Sequence, residues 1–288
     1  MALLFSLRRQ ALSGALLLIT VLLAGCSSIY FLPMTPWVQN PERQELAYED
    51  VILIHPDGLR IHGWWVPAVL DTKEQAKGTV FFLHGNAQNI STHLMAVTWL
   101  PPQGYNLFLL DYRGFGLSEG KAKLPGVFED IQLGLDWLTR AERAQGPLIV
   151  YGQSIGAATS AHVLAQAKNQ DKFQCAVLEA GFTRYRDAAS HIMGQSWVRV
   201  LKPIVLPMLA NQWAPLDAVA DIQPPVLIVH SENDEIIPYE QGLALYEAAQ
   251  APKALLTLDG PHIGGNFSEV KQQGLLQFFQ QQCHEGLR

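Results

Sequence analysis

The chain has 288 residues, of which 49% are hydrophobic and 16% are charged. These proportions exclude a largely disordered protein and allow one large core, and no internal repeat or low-complexity tract divides the chain. The net charge is −6, and no basic patch is interleaved with aromatic residues. Nucleic acid is therefore not an expected partner.

The first 25 residues predict a signal peptide. Arg8 and Arg9 precede an uncharged apolar stretch over residues 11–23, and two small residues end the segment. The apolar stretch is short for a membrane-spanning helix, so we expect an export signal that is cleaved. An uncleaved N-terminal membrane anchor is the alternative.

The segment Leu23-Ala24-Gly25-Cys26 resembles the lipobox of bacterial lipoproteins. This resemblance implies cleavage before Cys26 and attachment of lipid to Cys26, which would anchor the protein in a membrane. Serines rather than an aspartate follow the cysteine, which resembles sorting to the outer membrane, on the side that faces the periplasm. Residues 26–47 contain several prolines and are predicted to be a lipidated tether in front of a domain over residues 48–288.

Cys175 and Cys283 are the other two cysteines of the chain. Cys175 precedes a predicted strand and Cys283 lies near the end of the last predicted helix. Both positions fall at the same edge of the sheet, and an exported protein could oxidise them. We expect two unpaired thiols, with a disulfide as the alternative.

Strands and helices alternate along the predicted domain. A hairpin is expected over residues 50–66, with its turn at Pro56-Asp57-Gly58. Continuous apolar runs predict further strands at residues 78–83, 105–110, 148–153, 176–178, 225–230 and 254–258. Helical spacing predicts helices at residues 89–100, 126–144, 155–167 and 239–249, and a last helix after His262. This alternation indicates an α/β fold with a mostly parallel sheet covered by helices on both faces.

The segment Gly152-Gln153-Ser154-Ile155-Gly156 lies where a predicted strand meets a predicted helix. A tight turn there needs residues without bulk two positions before and two after the serine. It exposes the Ser154 hydroxyl as a nucleophile beyond the strand ends, where ligands bind in such sheets. The Ile155 N–H lies at the helix N-terminus and is a candidate oxyanion donor.

A serine nucleophile needs a base and an orienting acid. His262 is the candidate base, since it follows a strand and a Gly-Pro turn. Asp234 is the candidate acid, because it lies at a strand end between the serine and the histidine in the chain. Glu179 and Asp111 also lie at strand ends and are the alternatives.

The segment His84-Gly85-Asn86-Ala87 follows another strand. Asn86 or Ala87 is expected to give the second oxyanion N–H, with the choice between them open. His84 is expected to brace this loop, and His230 to pack at its strand end. The remaining histidines show no metal-binding spacing, so we expect neither a metal site nor a cofactor.

These motifs resemble an α/β-hydrolase over residues 48–282. Together with Asp111-Tyr112-Arg113-Gly114, they resemble the group that includes monoacylglycerol and lysophospholipid lipases and protein depalmitoylases. The resemblance implies that Ser154, Asp234 and His262 form a catalytic triad, and that Asp111 and Arg113 hold their own loop by an ion pair. The chain departs from the family pattern in its histidine loop and at Ser231, where a glycine is usual.

An apolar stretch over residues 183–222 is predicted to be a small helical cap over the active site, suited to an acyl chain. The alternative is that most of its apolar residues pack on the sheet and on each other. The expected activity is hydrolysis of a carboxylic ester or thioester with an apolar acyl group, by a monomer. Acyl transfer to another acceptor and a non-catalytic lipoprotein that binds lipid or a partner are the alternatives. Peptidase activity is less favoured, because no added domain shapes a peptide site.

Overall fold

The structure is a computed structural model that describes residues 27–71, 74–140, 143–195, 197–209, 211–250, 252–263 and 268–283. The predicted signal peptide and the predicted lipidation site Cys26 lie outside the described residues. None of the described helices is both long enough and apolar enough to span a membrane.

Ten strands are described, and the predicted hairpin is among them. They are β1 Leu32–Pro33, β2 Glu49–Ile54, β3 Arg60–Val66, β4 Gly78–Leu83, β5 Ala87–Gln88, β6 Tyr105–Leu110, β7 Leu148–Gln153, β8 Cys175–Glu179, β9 Val226–Ser231 and β10 Lys253–Leu258.

Eight strands form one sheet in the order β10-β9-β8-β7-β4-β6-β3-β2. The strands from β10 to β6 are parallel to their neighbours, and only β3 and β2 run antiparallel. Strands β4, β6, β7, β8 and β9 are buried along their whole length, which explains why they are apolar runs rather than alternating patterns. The predicted α/β class and mostly parallel sheet are confirmed.

Eight α-helices are described: α1 Ile90–His93, α2 Gly126–Arg140, α3 Ile155–Leu164, α4 Tyr185–Gly194, α5 Lys202–Val205, α6 Pro215–Val219, α7 Tyr239–Ala248 and α8 Glu269–Gln282. Short 3-10 turns lie at Ser27–Tyr30, Pro41–Gln44, Leu94–Ala96, Pro101–Gln103, Ala167–Asn169, Trp197–Leu201 and Leu206–Met208.

Alternate residues of the central strands enter two separate cores. Phe81 of β4 packs in one core with Leu135 of α2, whereas Phe82 of the same strand packs in the other core with Phe278 of α8. Because successive side chains of a strand point to opposite faces, each central strand contributes apolar side chains to both cores.

Two predicted helices differ from the structure. The helix expected over residues 89–100 ends at His93, after which a 3-10 turn leads to Val97, whose φ of −131° and ψ of −2° are no longer helical. Val97 and Thr98 are β-branched and have reduced helix propensity, which disfavours a longer helix. The last helix begins at Glu269, capped by Ser268, rather than directly after His262.

Cys175 and Cys283 form a disulfide, with their Cα atoms 5.3 Å apart. The prediction of two unpaired thiols is therefore wrong. Cys175 is the first residue of β8, and Cys283 directly follows α8, which packs antiparallel across that region of the sheet. The packing of α8 brings together two cysteines that are 108 residues apart in the chain.

The described part of the predicted tether packs on the domain. Phe31 and Leu46 are buried, and the Ser27 hydroxyl accepts a 2.8 Å hydrogen bond from the Leu124 N–H. Strand β1 pairs in parallel with β5, next to Asn86. Burial of these apolar side chains stabilises the packed arrangement over an extended one.

Candidate active site

Ser154 lies between the end of β7 and the start of α3, in a strained backbone conformation with φ 56° and ψ −118°. Its N–H donates to the carbonyl of Glu179, at 2.8 Å, which ties the turn to the neighbouring strand. A side chain at Gly156 would collide with the carbonyl oxygen of Leu83, and one at Gly152 would lie 2.5 Å from that of Gly156. The two glycines are therefore required by close backbone packing.

His262 lies between Ser154 and Asp234. Its Nε2 is 3.0 Å from the Ser154 Oγ, and its Nδ1 is 2.7 Å from the Asp234 Oδ2. The His262 N–H also donates to the Glu235 carboxylate, at 3.2 Å. These three side chains come from three different strand ends, and they form one continuous hydrogen-bonded chain.

The Asp234 carboxylate is fixed at both oxygens. Its Oδ1 accepts hydrogen bonds from the N–H groups of Ile236 and Ile237, at 2.9 and 2.8 Å. Its Oδ2 lies near both His262 and His230. Burial alone would raise the pKa of Asp234, but the hydrogen bonds from the two histidines, the charge of His262 and the Ile237 N–H hold that pKa well below its ordinary value. The group is therefore an anion at neutral pH.

Neither alternative acid reaches His262. The Glu179 carboxylate lies 2.6 Å from the Lys271 Nζ and accepts hydrogen bonds from Tyr151 and Gln153. Asp111 is fully buried and accepts a hydrogen bond from the N–H of Ile90, at 2.9 Å. Both carboxylates instead hold neighbouring elements together. Glu179 binds α8 through Lys271, and Asp111 binds the start of α1 through Ile90.

The expected ion pair between Asp111 and Arg113 is wrong. The Arg113 guanidinium instead binds Asp130 of α2, with its Nε 2.9 Å and its NH2 group 2.8 Å from the carboxylate oxygens. Gly126, at the start of α2, packs against this guanidinium and leaves no room for a side chain. Arg113 therefore joins the loop after β6 to α2.

The loop after β4 is held by two histidines. The buried His84 ring lies 2.8 Å from the Gly85 carbonyl oxygen through its Nδ1, and the His93 Nε2 lies 3.1 Å from the Ala87 carbonyl oxygen. The carbonyl of Asn86 accepts from Leu32 in β1, at 2.7 Å. The prediction that His84 braces its loop is confirmed, and hydrogen bonds hold the loop on both sides of Asn86.

Comparisons with known proteins identify the family of the chain. The protein YfhR of Salmonella typhi is 31% identical over 246 residues, which cover 81% of this chain and 81% of that protein. The alpha/beta hydrolase domain-containing protein WAV2 of Arabidopsis thaliana is 31% identical over 247 residues, which cover 81% of this chain and 78% of that protein. The family described as "Serine aminopeptidase, S33" matches residues 74–215. The two relatives at 31% identity show that the chain belongs to the α/β-hydrolase family.

Solved structures show the same α/β-hydrolase fold. The esterase Pf2001 of Pyrococcus furiosus superposes with a TM-score of 0.71 at 22% identity, over 88% of this chain and 99% of the esterase. The α/β hydrolase GrgF from Penicillium sp. sh18 superposes with a TM-score of 0.64 at 20% identity, over 83% of this chain and 99% of that one.

The hydrolase has a cavity of about 460 Å³ that opens beside Ser154 and His262. Its walls are mainly apolar and come from the N-terminal segment, from the turn after Asp234 and from the predicted cap. The side chains that line it beyond the triad are Tyr30, Asn86, Ile155, Phe182, Tyr185, Ala188, Ala189, Ile192, Met193, Val205, Leu209, Ile236 and Ile237. Such a cavity is suited to an apolar ligand.

Two tyrosines in the cavity wall were not predicted from the sequence. The rings of Tyr30 and Tyr185 pack 4.9 Å apart, and neither hydroxyl has a hydrogen-bond partner among the described residues. Burial raises the pKa of Tyr30 to about 12, against a smaller effect of Arg186 that lowers it. Burial likewise raises the pKa of Tyr185, so both hydroxyls are neutral near pH 7. The only sequence signal was their aromatic character, which equally indicates packing.

The buried Lys271 was also missed. It lies in α8 with a fully buried side chain, next to the exposed Val270. A lysine in an amphipathic C-terminal helix ordinarily faces solvent, so the sequence offered no signal for this position. No group of three or more histidine, cysteine or acidic side chains in the described ranges is arranged to hold a metal ion.

Proposed function

We propose that the protein is a serine hydrolase that cleaves carboxylic ester or thioester bonds through an acyl-enzyme intermediate on Ser154. The observation that carries this proposal is the hydrogen-bonded chain from Ser154 through His262 to Asp234, with contacts of 3.0 and 2.7 Å. A serine hydroxyl held by a histidine that is in turn oriented by a buried carboxylate is an activated nucleophile.

In the proposed reaction, His262 takes the proton of the Ser154 hydroxyl as the Oγ attacks the substrate carbonyl. Asp234 holds the imidazole in the required tautomer and stabilises its protonated form. The developing oxyanion is bound by the N–H of Ile155, at the start of α3, and by that of Asn86 or Ala87. His262 then gives its proton to the leaving alcohol or thiol, and water attacks the acyl-enzyme by the same route.

The proposed substrate carries an apolar acyl group, because the cavity beside Ser154 is lined mainly by aliphatic and aromatic side chains. This agrees with the resemblance to lysophospholipid and monoacylglycerol lipases and to depalmitoylases. The family description names an aminopeptidase. The described cavity lining includes no aspartate or glutamate to bind the ammonium group of a peptide substrate, which favours an ester or thioester.

We also propose that the protein works in the bacterial cell envelope as a monomer, anchored by lipid on Cys26 to the outer membrane and facing the periplasm. The lipobox resemblance supports the anchor. The disulfide between Cys175 and Cys283 supports an oxidising compartment, since such bonds persist mainly outside the reducing cytosol. The proposed reaction uses only side chains and N–H groups of the chain itself and needs no cofactor.

The proposal is tested with a series of p-nitrophenyl esters from acetate to palmitate. We expect hydrolysis with a clear optimum of acyl length, and a loss of several orders of magnitude in kcat in Ser154→Ala and in His262→Ala. Ser190→Ala is the matched control, because Ser190 lies in the cap helix α4 and does not line the cavity. Undiminished hydrolysis by the Ser154→Ala protein would contradict the nucleophile assignment.

A fluorophosphonate probe separates the enzyme from the binding alternatives. We expect covalent labelling of the wild-type protein and of Ser190→Ala, but not of Ser154→Ala. Labelling without ester hydrolysis would favour acyl transfer, which uses the same residues with an acceptor other than water. A folded protein that neither labels nor hydrolyses would favour a non-catalytic lipoprotein that binds lipid or a partner.

A further inference from the structure

The outer side of the cap exposes a group of large apolar side chains. Trp197 is 79% exposed, and Val200 and Ile204 are 68% and 65% exposed. Leu201 is also exposed. These four residues, with Arg199 and Lys202, are called the cap face here. Large apolar side chains grouped on the surface mark a site of interaction with another apolar surface.

The charge of the cap face is opposite to that of the whole protein. Arg199 and Lys202 are the only residues among Arg, Lys, Asp and Glu between positions 188 and 216. The chain as a whole has a net charge of −6. A positively charged, apolar face on an acidic protein is complementary to a surface that is both apolar and anionic.

The inner side of the same helices lines the proposed acyl cavity. Ile192 of α4 and Val205 of α5 line the cavity together with Ser154. The cap face therefore lies over the cavity, separated from the nucleophile only by the thickness of the cap.

The N-terminus of the described chain reaches the same place. Tyr30 lines the cavity and packs on Tyr185 of α4 at a ring distance of 4.9 Å. Ser27, the first described residue, precedes Tyr30 by three positions and directly follows the predicted lipidation site. A lipid anchor at that site would hold the cap, rather than the opposite end of the sheet, next to the membrane.

We propose that the cap face docks on an anionic lipid bilayer, so that the cavity beside Ser154 receives the acyl chain of a lipid ester from that bilayer. This inference rests on the proposed function, which it deepens by naming the surface that meets the substrate and the class of substrate. Tryptophan is favoured at the interface of lipid and water, and the aliphatic side chains enter the acyl region.

A second copy of the chain does not fit the cap face as well as a bilayer does. The face contains two basic residues and no acidic residue, so two cap faces packed together would bring like charges into an apolar interface. An anionic lipid surface instead gives each basic side chain a phosphate partner.

The docking is tested on the full-length protein reconstituted in vesicles of phosphatidylglycerol and phosphatidylcholine with brominated acyl chains. Bromine quenches tryptophan fluorescence on contact, so the signal of position 197 is the difference between wild type and Trp197→Phe. We expect Trp197 to be quenched. Trp99→Phe is the matched control, because Trp99 is partly buried against the core on the other face of the sheet and should show no quenching.

Activity gives a second readout. We expect the double variant Val200→Ser/Ile204→Ser to lose activity several-fold on a monoacyl lipid ester held in the vesicles, and to keep its activity on a soluble short ester. Ile54→Ser is the matched control, since Ile54 is 63% exposed on the distant edge strand β2. Arg199→Gln and Lys202→Gln should each lower activity about fivefold on anionic vesicles and leave it unchanged on neutral ones.

The outcomes separate this inference from the proposed function. Vesicle-bound protein with no quenching of Trp197, or equal losses on vesicle and soluble esters, would overturn the docking and leave the Ser154-dependent hydrolysis in place. Quenching without any Ser154-dependent hydrolysis would support the docking and contradict the proposed enzyme. A dimer that Ile204→Ser converts to a monomer would assign the cap face to a second copy and overturn the inference.

Discussion

The Nζ of Lys271 lies 2.6 Å from the Oε1 of Glu179, and both side chains are buried. The same Glu179 accepts the Ser154 N–H through its backbone carbonyl, at 2.8 Å. Helix α8 is thereby joined to the strand end that holds the nucleophile. At its other end, the helix is joined to the first residue of the same strand by the disulfide between Cys175 and Cys283.

Lys271→Met should strongly destabilise the protein, because it leaves the Glu179 charge buried without its partner. We expect a loss of about 3–5 kcal/mol in the free energy of unfolding, measured with urea. Lys172→Met is the matched control. The Lys172 Nζ lies 2.5 Å from the Asp136 Oδ1, but both side chains are partly exposed. Loss of this ion pair should therefore cost about 1 kcal/mol or less in the free energy of unfolding. Equal effects of the two changes would contradict the importance of burial.

The stability that Glu179 contributes should depend on pH. Burial by itself would raise the pKa of Glu179, but the Lys271 ammonium and the hydrogen bonds to the carboxylate lower that pKa below its ordinary value of 4.5. A carboxyl group whose pKa is lower in the folded state contributes stability above its unfolded pKa, and this contribution is lost as the pH falls through the folded value. The difference in unfolding free energy between wild type and Glu179→Gln should therefore be constant near neutral pH and should shrink below pH 4.5. A difference that stays constant in acid would contradict this origin.

Asp234→Asn should lower kcat by about 10⁴-fold, because an amide does not hold His262 in the tautomer that accepts the serine proton. Glu179→Gln should leave most of the activity of the folded protein, since Glu179 bonds to Lys271 rather than to His262. The two variants are compared by the rate of p-nitrophenyl ester hydrolysis, at a temperature where circular dichroism shows both to be folded. A larger loss in Glu179→Gln would show that the acid is assigned to the wrong residue.

Local patterns were enough to predict the strands of the large sheet and the strand ends that carry Ser154, Asp234 and His262, whereas the short strands β1 and β5 were not predicted. Buried parallel strands are continuous apolar runs, and the tight turn at Ser154 needs Gly152 and Gly156 within a few residues of it. Asp234 and His262 were then selected as the acid and the base, because each follows a strand and because the three residues occur along the chain in the order serine, acid, histidine. The hydrogen bonds of 3.0 and 2.7 Å between them agree with that prediction.

The pairings that were not predicted depend on how distant elements pack. Arg113 lies close in sequence to Asp111, yet it binds Asp130, because α2 returns to the loop after β6. Lys271 and Glu179 are 92 residues apart, and they meet only because α8 packs on β8. Neither pairing leaves a periodic signal along the chain. A pattern read along one element does not identify the residue that another element brings to it.

Gly156→Ala should disrupt the turn that holds Ser154, because the new methyl group would collide with the backbone oxygens of Leu83 and His84. Backbone cannot move aside without displacing β4, so we expect a large loss of stability together with a loss of activity. Gly181→Ala is the matched control at the end of the next strand. There the nearest atom is a side-chain methyl group of Leu245, at 3.1 Å, which can shift. Thermal unfolding and ester hydrolysis of both variants test the difference.

Removal of the disulfide should lower the stability of the protein and leave its chemistry in place. The bond joins residues 108 positions apart, and in the chain-entropy description a loop of that length is worth about 5 kcal/mol. We expect Cys175→Ala/Cys283→Ala to lose stability of this order in urea while its activity under native conditions changes little, because Lys271 still joins α8 to Glu179. Reduced wild-type protein should unfold at the same urea concentration as the double variant, and addition of reductant should not affect the variant. If reductant left the wild-type unfolding midpoint unchanged, the two cysteines would not be bonded in solution.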